Sequence, residues 1–229
     1  FFNRKKFLYL NYLPFWNFLI FLLLPPKCEI GPITGGAKFN KQSKDFYIRR
    51  FVFPFFYYLT NIILKYRYKN PIFSTDLLKN FLHKNVLKRS KFNFIFCAIK
   101  KNKEKKIRNK KIKLLIYFRK HNNKNYSHIF KLIKKLVSKN FKVHVIGNKI
   151  NLKGIINNGY VSHNKVIKLL KNTKYSIISS ENIFSFFTID CINNHVKILV
   201  NNKTFNSIKY YKKQFLKFNF YKSNLEILK

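Results

Sequence analysis

The chain has no methionine at any of its 229 positions, the first included. An intact bacterial or cytosolic chain starts with one, so the expectation is a partial chain whose own N-terminus is missing. Acidic residues are nearly as scarce: seven Asp plus Glu stand against 48 Lys plus Arg, a formal net charge of +41. Such a balance points to nucleic acid or an anionic surface as a partner. Arginine is rare within that excess, occurring only at Arg4, Arg49, Arg50, Arg67, Arg89, Arg108 and Arg119. A dedicated phosphate reader would favour arginine, whose planar fork pairs with phosphate oxygens. Lys, Asn, Ile, Phe and Tyr are inflated together, and their codons are the ones rich in A and T. Nucleotide bias accounts for that whole pattern, whereas phosphate recognition accounts only for the lysines. The three cysteines, Cys28, Cys97 and Cys191, are odd in number and far apart. They match neither a disulfide framework nor a zinc spacing, and they indicate a reducing compartment. No metal site is expected, since the histidines at 83, 121, 128, 144, 163 and 195 show no ligand spacing either.

Long hydrophobic runs are missing too. Phe7 to Pro26 is uncharged over about the ~20 residues a bilayer crossing needs. Asn11, Pro14 and Asn17 interrupt it, and Pro25-Pro26 ends it. The unbroken run Phe18 to Leu24 is too short to cross, and no small-residue cleavage site follows to make a signal peptide. The prediction is a buried helix feeding a short strand, with a transmembrane span as the alternative.

What is present is apolar mass. Hydrophobic residues make up 47%, with 27 Phe and 14 Tyr, enough for a sizeable core. The length suits one large domain or two smaller ones. "GPITGG", Gly31 to Gly36, reads as a tight connection or a ligand loop. Phe51 to Leu64 is predicted as a helix interrupted near Pro54. "NPIFSTDLLKNFL" is predicted as a strand ending at Phe73, with Ser74, Thr75 or Asp76 capping a helix. "KFNFIFCAI", Lys91 to Ile99, reads as a buried strand. The charge run Lys100 to Lys111 is the linker candidate. The expected division is a first domain over 1–100, a basic linker over 101–111 and a second domain over 112–229.

Beyond the linker the pattern is regular. Strands are predicted over Ile112 to Phe118, Lys142 to Asn148, Tyr175 to Ser179 and Val196 to Asn201. Helices are predicted over Tyr126 to Val137, from Ser162 as cap, and over Phe184 to Asn193. Strands alternating with helices at this spacing imply an α/β fold with a parallel, Rossmann-like sheet covered on both faces. Ligands of such sheets sit beyond the carboxyl ends of the strands. That rule selects Arg119 to Asn125, Gly147 to Lys149, and Ser179 to Phe184, giving Gly147 and Asn182 as ligand-contact candidates. One window stands apart: Tyr175 to Val196 has no Lys or Arg, yet it holds Glu181 and Asp190. Burial would explain the missing lysines but not the two acids, and a site accepting hydrogen bonds from hydroxyl groups explains both.

The order "LLIYFRKHNNKNYSHIFKLIKKL", "KVHVIGN", "NNGYVSHNKVIKLLKNTKYSIISSEN" and "FTIDCINNHVKILV" resembles the nucleotide-sugar domain of GT-B glycosyltransferases, closest to the retaining, metal-independent group 1. The resemblance is carried over about Ile112 to Val200. The segment "NYLPFWNFLIFLLLPPKCEIGPITGG" resembles the middle of that family's N-terminal domain. It implies a GT-B fold, with the latter part of an N-terminal Rossmann-like domain followed by a C-terminal one. By position, Arg119 and Lys124 would neutralise the donor diphosphate, Glu181 would contact the sugar, and Asp190 would hold the ribose hydroxyls. The sequence departs from the family in places. Glu181 and Asp190 are one residue further apart than the family's pair, and the second acid is Asp. Phe118 and Asn125 stand where the family has Gly, and "NIFS" replaces the glycines after the first Glu, with Ser185 as a substitute side-chain donor.

The activity so implied is transfer of a sugar from a nucleotide-diphosphate donor to a hydroxyl of a glycan or lipid-linked acceptor, in cell-surface polysaccharide or glycolipid synthesis. It needs no cofactor beyond the donor as substrate. The expected location is cytoplasmic, on the inner face of a membrane touched through residues 7–26. The reading kept beside it is a basic nucleic-acid or ribosome-associated protein using the Lys runs at 100–111 and 209–217. Against that reading, the aromatics fall in apolar runs rather than between lysines.

Overall fold

The computed structural model describes residues 8–36, 44–100, 110–120, 127–178 and 183–220. The chain divides into two compact units, Phe1–Cys97 and Ala98–Lys229.

Unit 1 begins with strand β1 (Leu8–Pro14), followed by helix α1 (Phe18–Leu23) and strand β2 (Glu29–Thr34). The predicted buried helix over this uncharged segment is therefore half strand. β1 runs parallel to β2, from Leu8 opposite Glu29 to Pro14 opposite Thr34, with a register shift between Leu10 and Leu13. That irregularity breaks the period-two signal that would have announced a strand. Parallel bridges continue the pairing outward, Ile33 to Phe73 and Ile72 to Lys91. Gly31 lies inside β2 rather than in a ligand loop: a Cβ there would stand 2.6 Å from the Ile72 carbonyl oxygen. Close approach of two backbones is what this glycine permits.

Helices α2 (Lys44–Tyr47) and α3 (Phe53–Arg67) are joined by a π-helical turn, Ile48–Val52, and α4 (Lys84–Arg89) follows later. Pro54 sits in the first turn of α3, directly after the π-helical turn, so the helical run from Lys44 to Arg67 changes type beside the residue that cannot donate a backbone hydrogen bond. Ser74 to Asp76 cap no α-helix; only a 3₁₀ turn, Lys79–Phe81, follows. The predicted strand over Lys91 to Ile99 is also absent: one bridge at Lys91 gives way to a 3₁₀ turn, Phe94–Ala98. Asn93 takes a left-handed φ of 61°, which turns the chain out of extended geometry. The core of this unit joins Leu13, Phe15, Phe21, Ile30, Ile33, Leu64, Tyr68 and Phe73. Among the described residues no helix is long and apolar enough to cross a membrane.

Unit 2 is a six-stranded parallel sheet. Its elements in order are β3 (Ile112–Phe118), α5 (Ser127–Ser138), β4 (Val143–Gly147), β5 (Ile155–Asn157), α6 (His163–Lys171) and β6 (Thr173–Ile177). After these come α7 (Phe186–Asn193), β7 (Lys197–Val200), α8 (Asn202–Ser207) and β8 (Phe215–Lys217). The strands lie in the order β5-β4-β3-β6-β7-β8, all parallel. Renumbered within the unit, that is third-second-first-fourth-fifth-sixth, the order of a doubly wound Rossmann-like sheet. The alternation of β3 explains its unbroken apolar run. Leu114, Ile116 and Phe118 join a cluster with Ile129, Leu132, Ile133 and Leu136 of α5. Leu115 and Tyr117 turn to the opposite face, where the Tyr117 ring lies 5.5 Å from that of Phe187 on α7. A strand buried on both faces reads as continuous hydrophobicity. Each of the four buried α5 side chains contributes about 1.5–3 kcal/mol by leaving water, while Lys131, Lys134 and Lys135 stay exposed.

Candidate functional site

The sheet order reverses between β3 and β6, so the crevice beyond their carboxyl ends is where ligands of doubly wound sheets bind. A cavity of about 250 Å³ opens near this edge, on the face covered by α6 and α7. Tyr117, Ile146 and Gly147 come from the ends of β3 and β4; Tyr160, Val161, His163 and Val166 from the entry and first turn of α6; Phe187 and Asp190 from α7.

Gly147 is held in this place by its conformation. Its φ is +94°, and a Cβ would meet the Phe118 carbonyl oxygen at 2.3 Å, so a side chain would push β3 and β4 apart. Its N–H donates to the Gly159 carbonyl at 2.8 Å, which ties the carboxyl end of β4 to the segment that delivers Tyr160 and Val161. The next residue secures β3: Asn148 N–H donates to the Phe118 carbonyl, and the Asn148 side-chain oxygen accepts from Lys120 N–H, both at 2.8 Å. Arg119 is exposed and directly follows β3, between Phe118 and Lys120, which both bond to Asn148.

Asp190 is the acid of the cavity. Its side chain is 17% exposed, and its Oδ2 lies 3.1 Å from Nε2 of His163, itself 71% exposed. Burial pushes the Asp190 carboxyl above its ordinary value, opposed by the hydrogen bond and charge of His163 and by the charge of Lys100. The carboxylate that the sequence suggested was kept clear of cations is thus paired, with a histidine rather than a lysine. The Lys-free window has a burial explanation as well: Phe187, Thr188, Ile189, Cys191 and Ile192 of α7 are all buried. Burial likewise drives the Cys191 thiol far upward, leaving an inert core side chain.

The structure brings Gly147 and Asp190 to one cavity. Ser185 is the N-cap of α7, its hydroxyl oxygen accepting from Thr188 N–H at 3.3 Å and lying 3.0 Å from Thr188 Oγ1. It does not line the cavity. Lys124, Glu181 and Asn182 lie outside the described residues. Ser162 is the N-cap of α6 by position, yet its side chain makes no capping bond. His195 follows α7 in a left-handed conformation, with its N–H donating to the Ile192 carbonyl at 3.2 Å. Sequence reasoning missed His163, Tyr160 and Phe187 as cavity residues. The signal for the first two was "NGYVSH", directly after a three-residue strand too short to show a period. Among the described residues, no three of His, Cys, Asp and Glu gather as a metal-ligand set.

No protein-family model matches the sequence, and no curated protein matches it.

Proposed function

We propose that the protein is a retaining glycosyltransferase that moves a sugar from a nucleoside-diphosphate donor to a hydroxyl of a glycan or lipid-linked acceptor. The observation that carries the reading is the cavity at the carboxyl edge of the unit 2 sheet, where one largely buried carboxylate, Asp190, faces aromatic walls. A nucleoside asks for those two things, a flat apolar surface for its base and a paired acceptor for its ribose hydroxyls. At about 250 Å³ the cavity is smaller than the ~300–1,000 Å³ of sites that swallow a drug-sized ligand. The nucleoside half fits that size, and the diphosphate and sugar would lie outside the mouth.

In this reading Arg119, with Lys124, stabilises the charge that builds on the leaving diphosphate. Glu181 orients the sugar ring, and Asn182 and Ser185 add polar contacts at the same edge. Gly147 lets the ends of β3 and β4 close together beside the place the base would take. The test is release of nucleoside diphosphate from a panel of nucleotide sugars by the full chain. Arg119→Ala should lower it about a hundredfold or more, as loss of a preorganised charge partner does elsewhere. A folded chain that neither turns over nor binds any donor, or an Arg119→Ala variant as active as the parent, would refute the assignment.

A further inference from the structure

A second surface lies on unit 1. Among the described residues, thirteen of eighteen strongly exposed large apolar side chains belong to unit 1, although unit 2 is longer. Codon bias inflates Phe and Tyr along the whole chain, so it does not explain this concentration. Five of the thirteen fall within residues 7–26, and seven run from Tyr47 to Tyr66, along the π-helical turn and α3. The inner face of α3 buries Phe53, Tyr57, Thr60, Asn61 and Leu64. Its outer face presents Phe55 (60% exposed), Tyr58 (55%) and Tyr66 (75%), with Ile62 half-buried between them at helical spacing. Phe51 (67%) and Tyr47 (62%) extend this stripe back through the π-helical turn. A helix apolar on both sides belongs between two apolar media, and the unit 1 core is only one of them.

Charge identifies the other. From Phe46 to Thr75 there is no Asp or Glu, while Arg50 stands at one end of the stripe and Lys65 and Lys69 at the other; Arg49 lies over the Phe53 ring and Arg67 donates to the Leu24 carbonyl, both on the inner side. A second copy would bring the same cations and another +41 against them. An anionic bilayer surface supplies the missing complement, and Phe and Tyr are the side chains that settle at the headgroup level.

We propose that the outer face of α3 docks flat on an anionic lipid surface, with Phe51, Phe55 and Tyr58 entering the boundary between headgroups and acyl chains and Arg50 and Lys65 meeting lipid phosphates. This surface is distinct from residues 7–26 and independent of the glycosyltransferase reading.

The experiment is flotation of the full chain with phosphatidylcholine vesicles, with and without about 30% phosphatidylglycerol. It is run at ~0.5 M salt, where diffuse lysine attraction is largely screened. The wild type should float with the anionic vesicles. The Phe55→Ser/Tyr58→Ser double variant should lose about tenfold in bound fraction, and Phe55→Tyr should keep its binding, since tyrosine also suits the headgroup level. Thermal melts establish that each variant is folded. Three results would overturn the proposal: no flotation of folded wild type, equal flotation of the double variant, or a wild-type dimer in sedimentation that the double variant abolishes.

Discussion

At Gly147 one hydrogen atom decides the geometry of the carboxyl edge. With φ at +94° and the Phe118 carbonyl 2.3 Å from any added Cβ, Gly147→Ala should cost about 1–3 kcal/mol. Denaturant unfolding would show it as a lower midpoint with the slope unchanged. Asp190 makes a second prediction, this one of sign. Its folded pKa is raised above 3.8, chiefly by burial, so the folded chain binds that proton more tightly than the unfolded chain does. The associated stability is present below the ordinary carboxylate range and is lost as pH rises through the folded pKa. Asp190→Asn removes that dependence. The stability of the variant relative to wild type should therefore be more favourable at about pH 7 than at about pH 4, as thermal melts at the two pH values would report.

At the scale of elements, α1 shows how a short helix is held. Six residues cannot sustain a helix alone, and its carboxyl end is satisfied from outside. Tyr68 Oη donates to the Phe21 carbonyl at 2.6 Å and the Leu24 carbonyl at 3.1 Å, and the Arg67 guanidinium donates to Leu24 at 2.9 Å. Tyr68 is 1% exposed, so Tyr68→Phe should destabilise by about 1–2 kcal/mol, measurable by chemical denaturation. The same scale shows what could be read from sequence. β3 matched its prediction residue for residue, α5 and α7 came within two residues at each end, and α6 began directly after its predicted cap, because burial of one or both faces imposes a pattern that charge run and apolar run reveal. β5 and β8 went unread, since three residues carry no period. β1 was read as helix because its register shift scrambles the alternation, and Lys91 to Ile99 as strand because nothing in its apolar content betrays the left-handed turn at Asn93. Of the cavity lining, Asp190 and Gly147 were named from the sequence and His163 was not, since its pairing with Asp190 spans 27 positions and two helices.

For the molecule as a whole, a formal net charge of +41 means that self-repulsion opposes the compact state. Melting temperature should therefore climb as salt is raised from ~0.05 to ~0.5 M, most steeply at the low end where the Debye length is longest. The same charge creates a trap for ligand studies, because any phosphate compound is attracted at low ionic strength. The doubly wound sheet of unit 2, with its cavity beyond β3 and β4, gives a way to separate site from background. The decisive measurement is titration of the full chain with nucleoside diphosphates by calorimetry at ~0.3 M salt, alongside Asp190→Ala. A saturable one-to-one isotherm for one base, weakened about tenfold or more by Asp190→Ala, is the predicted result. Binding that is equal in both proteins, or that vanishes with salt for every nucleotide, would contradict the nucleotide site.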